Sequence, residues 1–186
     1  MCLEGVKNMK NPKIFILAGK ARAGKDTVSE MIRKYYKDKE TINLQYSSYI
    51  KEYAKKISNW DGSDETKPRA LLQELGTEII RKQIDFNFFV KRIIGDIKVY
   101  SFFFDIIVIS DARAKVEIDE VRKNFDNVYA IEIIRPNFDN GLSSNESKHF
   151  TENDLNDYDN YDYKIINDGS LDDLNTKVIE LMDVIK

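Results

Sequence analysis

Cysteine is almost missing from this chain. Cys2 is the one example among 186 residues, so no internal disulfide can form and the fold must be held by its core, as in a reducing compartment. Histidine is equally scarce. His149 stands alone with no thiol or second imidazole near it in sequence, which argues against a zinc centre. The Asp and Asn runs between 153 and 162 lack the ligand spacing of an EF-hand. No apolar run approaches the ~20 residues that cross a bilayer. Residues 1–12 carry no signal-peptide stretch and are expected to be a flexible leader to a single cytoplasmic domain, 13–186.

Excess charge of either sign is also small. The net charge is −3, but it is split along the chain. Residues 136–186 hold twelve acids against four lysines, a net −8, and the remainder carries +5. That surplus suits a small polyanion. It is too weak for a nucleic-acid surface, and no basic–aromatic recognition motif accompanies it. With 33% charged and 42% hydrophobic residues, the composition is that of a soluble domain with a sizeable core.

What the chain does have begins at 13–27, KIFILAGKARAGKDT. An apolar run ends in Gly19, Gly24 and Lys25 follow, and a helical pattern then starts. Strand, glycine loop and helix in this order form a phosphate-binding P-loop. The glycines let several N–H groups turn toward one phosphate. The helix adds the positive end of its dipole, and Lys25 reaches the β- and γ-phosphates. An ordinary glycine turn would not explain a cation at a helix start, where the dipole disfavours it. One position departs from the strict pattern. Asp26 stands where a Ser or Thr hydroxyl usually binds Mg²⁺, and Thr27 follows. Asp26 can ligate the metal, hold it through water, or cap the helix.

The remaining pattern alternates. Strands are expected over 14–18, 41–46, 104–110, 128–134 and 162–166, with helices over 24–36, 49–58, 68–82, 86–98, 115–125 and 171–185. This predicts an α/β, three-layer P-loop NTPase fold of about five parallel strands with helices on both faces. Ser47 and Ser48 are expected to cap the second helix. In the fourth, Phe86 is expected to point inward with Phe89, Val90 and Ile93. Ligands in such sheets bind beyond the carboxyl ends of the strands, where Gly19–Thr27, Ser47–Lys51, Asp111–Arg113, Arg135–Phe150 and Asn167–Ser170 fall.

In the helix over 68–82, Leu71, Leu72, Leu75 and Ile79 make the expected buried stripe. Arg69, Gln73, Thr77 and Arg81 recur every fourth residue as a polar row, with Gly76 beside it. A helix-interior glycine costs ~1 kcal/mol against alanine, so it invites a reason: the row is read as a substrate-facing surface, the other reading being a solvated face with an incidental glycine. Asp111 closes a buried apolar strand, either as a magnesium-holding acid or as a cap for 114–124. Arg113, two residues on, suits bidentate grip of phosphate. Arg22 and Arg135 also fall in loops at this end, whereas Arg33 and Arg122 look like plain surface residues. The polar stretch 137–161 is expected to be a mobile, lid-like loop.

GKARAGKDT, SSYIKEYA, LLQELGTEIIR, ISDAR, the RP after the next strand and IINDGSLDDL occur in that order. Together they resemble the P-loop deoxynucleoside monophosphate kinases of phage and bacterial type, over about 13–186. The same layout also looks like the animal-type phosphomevalonate kinases. The resemblance implies Mg²⁺-dependent transfer of the γ-phosphoryl group of ATP to an acceptor phosphate. By the same carry-over, Gly19, Lys20, Ala21, Arg22, Ala23, Gly24, Lys25, Asp26 and Thr27 cradle the donor phosphates, and Asn167 lies near the donor base. Lys25, Arg22, Asp111 and Arg113 act on the moving group, with Asp26 and Asp111 toward the metal. Lys51, Arg69, Gln73, Thr77, Arg81, Arg113 and Arg135 hold the acceptor within a helical region, 47–100. The resemblance departs at the lid over 135–161, where Arg135, Lys148 and His149 replace the several arginines usual there. A nucleotide-binding regulatory module with little transfer activity is the reading from another class. Monomer and homodimer both stay open.

Overall fold

The computed structural model describes residues 9–63, 65–138 and 150–185. Most of the leader, with Cys2, and the middle of the expected lid, with Lys148 and His149, lie outside these residues.

β1 (Lys13–Ala18) shows why the sheet forms where it does. Ile14 and Ile16 point to one face and Phe15 and Leu17 to the other, and all four are buried. A strand apolar on both faces belongs in the middle of a parallel sheet. β1 pairs in parallel with β3 (Ile106–Ala112) on one side and β4 (Val128–Ile134) on the other. β2 (Thr41–Leu44) and β5 (Tyr163–Ile166) complete the parallel order β2-β3-β1-β4-β5. On the Ile14 face pack α4 (Phe88–Tyr100), through Phe89, Ile93 and Ile97, and α5 (Lys115–Asn124), through Ile118 and Val121. On the Phe15 face pack α1 (Lys25–Tyr35) and α7 (Leu171–Val184), through Val28, Ile32, Leu174, Val178 and Met182. The three-layer expectation holds. Among the described residues no helix is long and apolar enough to cross a membrane.

Several local expectations fail for identifiable reasons. β2 stops at Leu44, and α2 (Ser47–Ser58) starts two residues early with no side-chain cap of its own. Asp111 supplies the cap from β3: Oδ1 accepts the Tyr46 N–H at 2.8 Å and Oδ2 the Ser47 N–H at 3.0 Å. Asp111 therefore caps α2 rather than 114–124. The expected helix over 68–82 is α3 (Arg69–Gln73), widened into a π-helical segment, Glu74–Ile84. A wider turn shifts the phase of the faces. Leu71, Leu72, Leu75 and Ile79 are only half-buried, and Ile80 and Arg81 take the inside. Phe86 precedes α4 instead of lying in it, and is exposed. Part of the expected mobile loop is bolted down. After the single turn α6 (Phe150–Asn153), Leu155, Tyr158 and Tyr161 pack against the core. Arg122, expected as surface decoration, pairs with Asp162 and donates to Asn160 O at 2.7 Å.

Candidate active site

The loop after β1 is built on left-handed backbone. Gly19 has φ 141° and Gly24 φ 103°, and Arg22 between them is also positive, at 60°. A Cβ at Gly19 would sit 2.4 Å from Ile133 O, so only glycine lets the chain leave β1 this close to β4. At the far side of the loop Asn167 Nδ2 donates to Ala23 O at 2.9 Å. Asn167, expected near a donor base, thus holds the loop through the Ala23 carbonyl. Lys25 is buried, and its Nζ donates to Gly19 O at 2.7 Å and Lys20 O at 2.8 Å. Burial, reinforced by the Arg113 charge, lowers its pKa from 10.5 to about 8.

α1 has no side-chain cap, so Asp26 does not serve as one. Its Oδ1 accepts from Ser110 Oγ at 3.1 Å and from Gln45 Nε2 at 3.2 Å. Gln45 then turns its other atom, Oε1, to Lys51 Nζ at 3.0 Å. One amide thereby links the loop aspartate to the first cation of α2. Neither Gln45 nor Ser110 stood out in the sequence.

These groups share a cavity of about 550 Å³, within the usual range for a ligand site. Ala21, Arg22, Gly24, Lys25, Asp26 and Thr27 form one wall of it. Lys51, Arg69, Gln73, Thr77, Arg81, Asp111, Arg113 and Arg135 all reach the same space. Gly19, Lys20 and Ala23 line a neighbouring hollow of about 300 Å³. The polar row does face the site, but its last member differs in kind. Arg81 is buried, and its Nη2 contacts Glu117 Oε1 at 2.6 Å. Gly76 serves the packing: a Cβ there would lie 2.8 Å from Ile50 Cδ1 of α2. Arg135 donates to Arg22 O at 3.5 Å and stacks 3.7 Å from the Phe138 ring centre.

Two acids in the site escaped the sequence reading. Glu117 occupies the inward stripe of α5, in register with Ala114, Ile118 and Val121. A carboxylate inside an apolar stripe was the available signal. Glu152 on α6 pairs with Arg113 through Oε1, and its Oε2 accepts the Ala21 N–H at 3.3 Å. Nothing in its local sequence marks it.

The family model described as deoxynucleotide monophosphate kinase matches residues 37–178. The deoxynucleotide monophosphate kinase of Enterobacteria phage T4 is 30% identical over 148 residues, which is 79% of this chain and 56% of that protein. The chain thus spans just over half the length of the curated relative it matches. Solved structures agree on the fold. The Mycobacterium tuberculosis APS kinase CysC, in complex with AMPPNP and APS, superposes with a TM-score of 0.61 at 14% identity, covering 94% of this chain and 99% of that one. Dephospho-CoA kinase from Campylobacter jejuni gives 0.53 at 15% identity over 96% and 98%. Because the family model spans well over half of the chain, the chain belongs to the deoxynucleotide monophosphate kinase family.

Proposed function

We propose that this chain transfers the γ-phosphoryl group of ATP to a deoxynucleoside monophosphate, giving the diphosphate. One observation carries the reading. A P-loop lysine and a second set of cations, Lys51, Arg69 and Arg113, face one cavity from different elements. A site for a triphosphate alone needs the first set but has no use for the second. The half-buried Leu72 and Ile50 and the buried Phe89 give the cavity apolar wall for a base.

Phosphoryl transfer asks for positioning and charge stabilisation. Lys25 exchanges its two loop carbonyls for phosphate oxygens. The first N–H groups of α1 meet the same phosphates at the positive end of the helix dipole. Arg113 and Arg69 grip the acceptor phosphate, with Lys51 held toward it by Gln45. The acceptor is already an anion, so no general base is required. For Mg²⁺, Asp26 fits: it is an exposed carboxylate on the cavity wall, oriented by Ser110 and Gln45. Asp111 fits less well, because each of its oxygens already accepts a backbone N–H. Bound Mg²⁺ supplies neutralisation of phosphate charge and commonly uses one or two carboxylates.

A coupled ADP-release assay across the deoxynucleoside monophosphates, their ribose counterparts and phosphomevalonate tests the reading. Turnover with a deoxynucleoside monophosphate is expected, and Lys25→Ala is expected to abolish it while leaving the far-UV circular dichroism unchanged. Activity with phosphomevalonate alone, or full turnover in the lysine variant, would reject the assignment.

A further inference from the structure

The π-helical segment delivers a cation that is fixed from several directions. Arg81 lies 5.4 Å from the Phe89 ring centre and 5.9 Å from that of Phe86. Its Nη2 is 2.6 Å from Glu117 Oε1. The second oxygen of Glu117, Oε2, accepts the backbone N–H of Arg113 at 2.7 Å and of Ala114 at 3.0 Å. The backbone carbonyl of Glu117 accepts the buried Tyr46 hydroxyl at 2.6 Å. One buried side chain therefore ties the end of the π-helical segment to the turn that carries Arg113, and both arginines line the cavity.

Such a pair is a poor device for stability. Desolvation of two buried charges consumes most or all of their attraction. Burial pushes the Glu117 carboxyl up, against the pull of Arg81. A buried charge pair on the wall of a ligand cavity has another use, since Arg presents a planar fork whose aim matters.

We propose that Glu117 is a positioning residue for acceptor recognition. It sets the aim of Arg81 and, through the backbone, the place of Arg113, so that the two arginines meet the acceptor nucleotide at a fixed separation. Arg81 supplies N–H donors to an oxygen-bearing group of the acceptor, and the donor triphosphate is held elsewhere. The inference rests on the phosphoryl-transfer reading for the identity of the acceptor.

Equilibrium binding separates the two ideas, because it needs no turnover. Wild type, Glu117→Gln, Arg81→Met and the double variant are titrated calorimetrically with each deoxynucleoside monophosphate and, separately, with a non-hydrolysable ATP analogue. Their melting is followed in parallel. Each single variant is expected to weaken monophosphate binding roughly ten- to a hundredfold, the scale of a misaimed group. Binding of the ATP analogue should move less than about threefold, and the double variant should be little worse than either single one, as for residues acting together. A purely structural role would weaken both ligands alike and overturn the proposal. So would unchanged monophosphate affinity, or no monophosphate binding by wild type. If Glu117→Gln does not fold, Arg81→Lys keeps the charge and loses the fork, and unchanged monophosphate affinity there overturns it equally. Silence in the turnover assay with monophosphate binding intact would reject the enzymatic reading and leave this one standing.

Discussion

Glu152 sits where a phosphate has reason to be. Its carboxylate takes the Ala21 N–H of the glycine loop and the Arg113 guanidinium at once, and its side chain is 8% exposed. On the proposed phosphoryl-transfer reading a triphosphate takes the first of these donors and an acceptor phosphate the second, so an anion entering the site must first displace this one. The strength of the hold follows from its parts. A hydrogen bond to a charged group contributes about 1.5–3 kcal/mol, and at 3.3 Å the Ala21 bond lies at the long end of useful geometry, toward the lower figure. The Arg113 side chain is 32% exposed, which brings its pairing toward the surface value of at most about 1 kcal/mol. Together they amount to about 2 kcal/mol, or roughly 30-fold in affinity. Glu152→Ala is therefore expected to tighten binding of a non-hydrolysable ATP analogue by about 10- to 30-fold in calorimetric titration. Unchanged or weaker binding, in a variant that melts like wild type, would show that Glu152 does not compete with the nucleotide, and the reasoning would be wrong.

Two further outcomes follow from the loop itself. Lys25 titrates at about 8 in the free protein, and a bound triphosphate favours its charged form. Binding should take up a proton as pH rises through 8, and affinity should fall. Titrations in buffers of different ionisation enthalpy should show near-zero uptake well below pH 8 and an approach to one proton above it. Constant zero uptake would refute the assignment. Because the unfolded lysine keeps its proton up to 10.5, this group makes stability rise with pH between about 8 and 10.5. Gly19→Ala combines a strained backbone, about 1–3 kcal/mol, with a clash against Ile133 O. It should lower stability by at least about 2 kcal/mol and Tm by roughly 4–8 °C. A wild-type Tm would mean that the loop can leave β1 another way.

The parts of this protein legible in sequence are those encoded locally. An apolar run without alternation gives a central parallel strand, and a lysine after glycine at a helix start gives the phosphate loop. The five-strand sheet and the end at which its ligands gather follow from these. The polar row from Arg69 to Arg81 was half legible. A four-residue recurrence suits a π-helical turn as well as an α-helical one, so it found the cavity-facing residues. It could not show that the turn widens after Gln73 and carries Arg81 inside. Side chains whose role is set by a partner far along the chain were illegible: Gln45 bridging Asp26 and Lys51, Ser110 beneath Asp26, and Glu152 across 131 residues from Ala21.

Asp111 shows how tertiary structure reassigns a residue that a motif points to. An acid at the end of a buried strand has two partners of similar appeal, a divalent cation and the exposed N–H groups at a helix start. Here the chain crosses so that the start of α2 lies against β3, and both Asp111 oxygens go to that helix start. The consequence is mechanical. α2 carries Lys51 and Ile50, so one wall of the cavity is locked to the strand that leads into Arg113. Glu117 does the same for the π-helical segment, through Arg81 on one side and the Arg113 backbone on the other. Two buried or half-buried carboxylates thus hold together the wall of the cavity that carries Lys51, Arg81 and Arg113. Asp26, exposed and aimed by two neutral groups, is the carboxylate suited to a cation. Sequence order leaves Asp26 and Asp111 both open for that role because it shows only what each acid follows, whereas the choice between them depends on which N–H groups the fold brings to each.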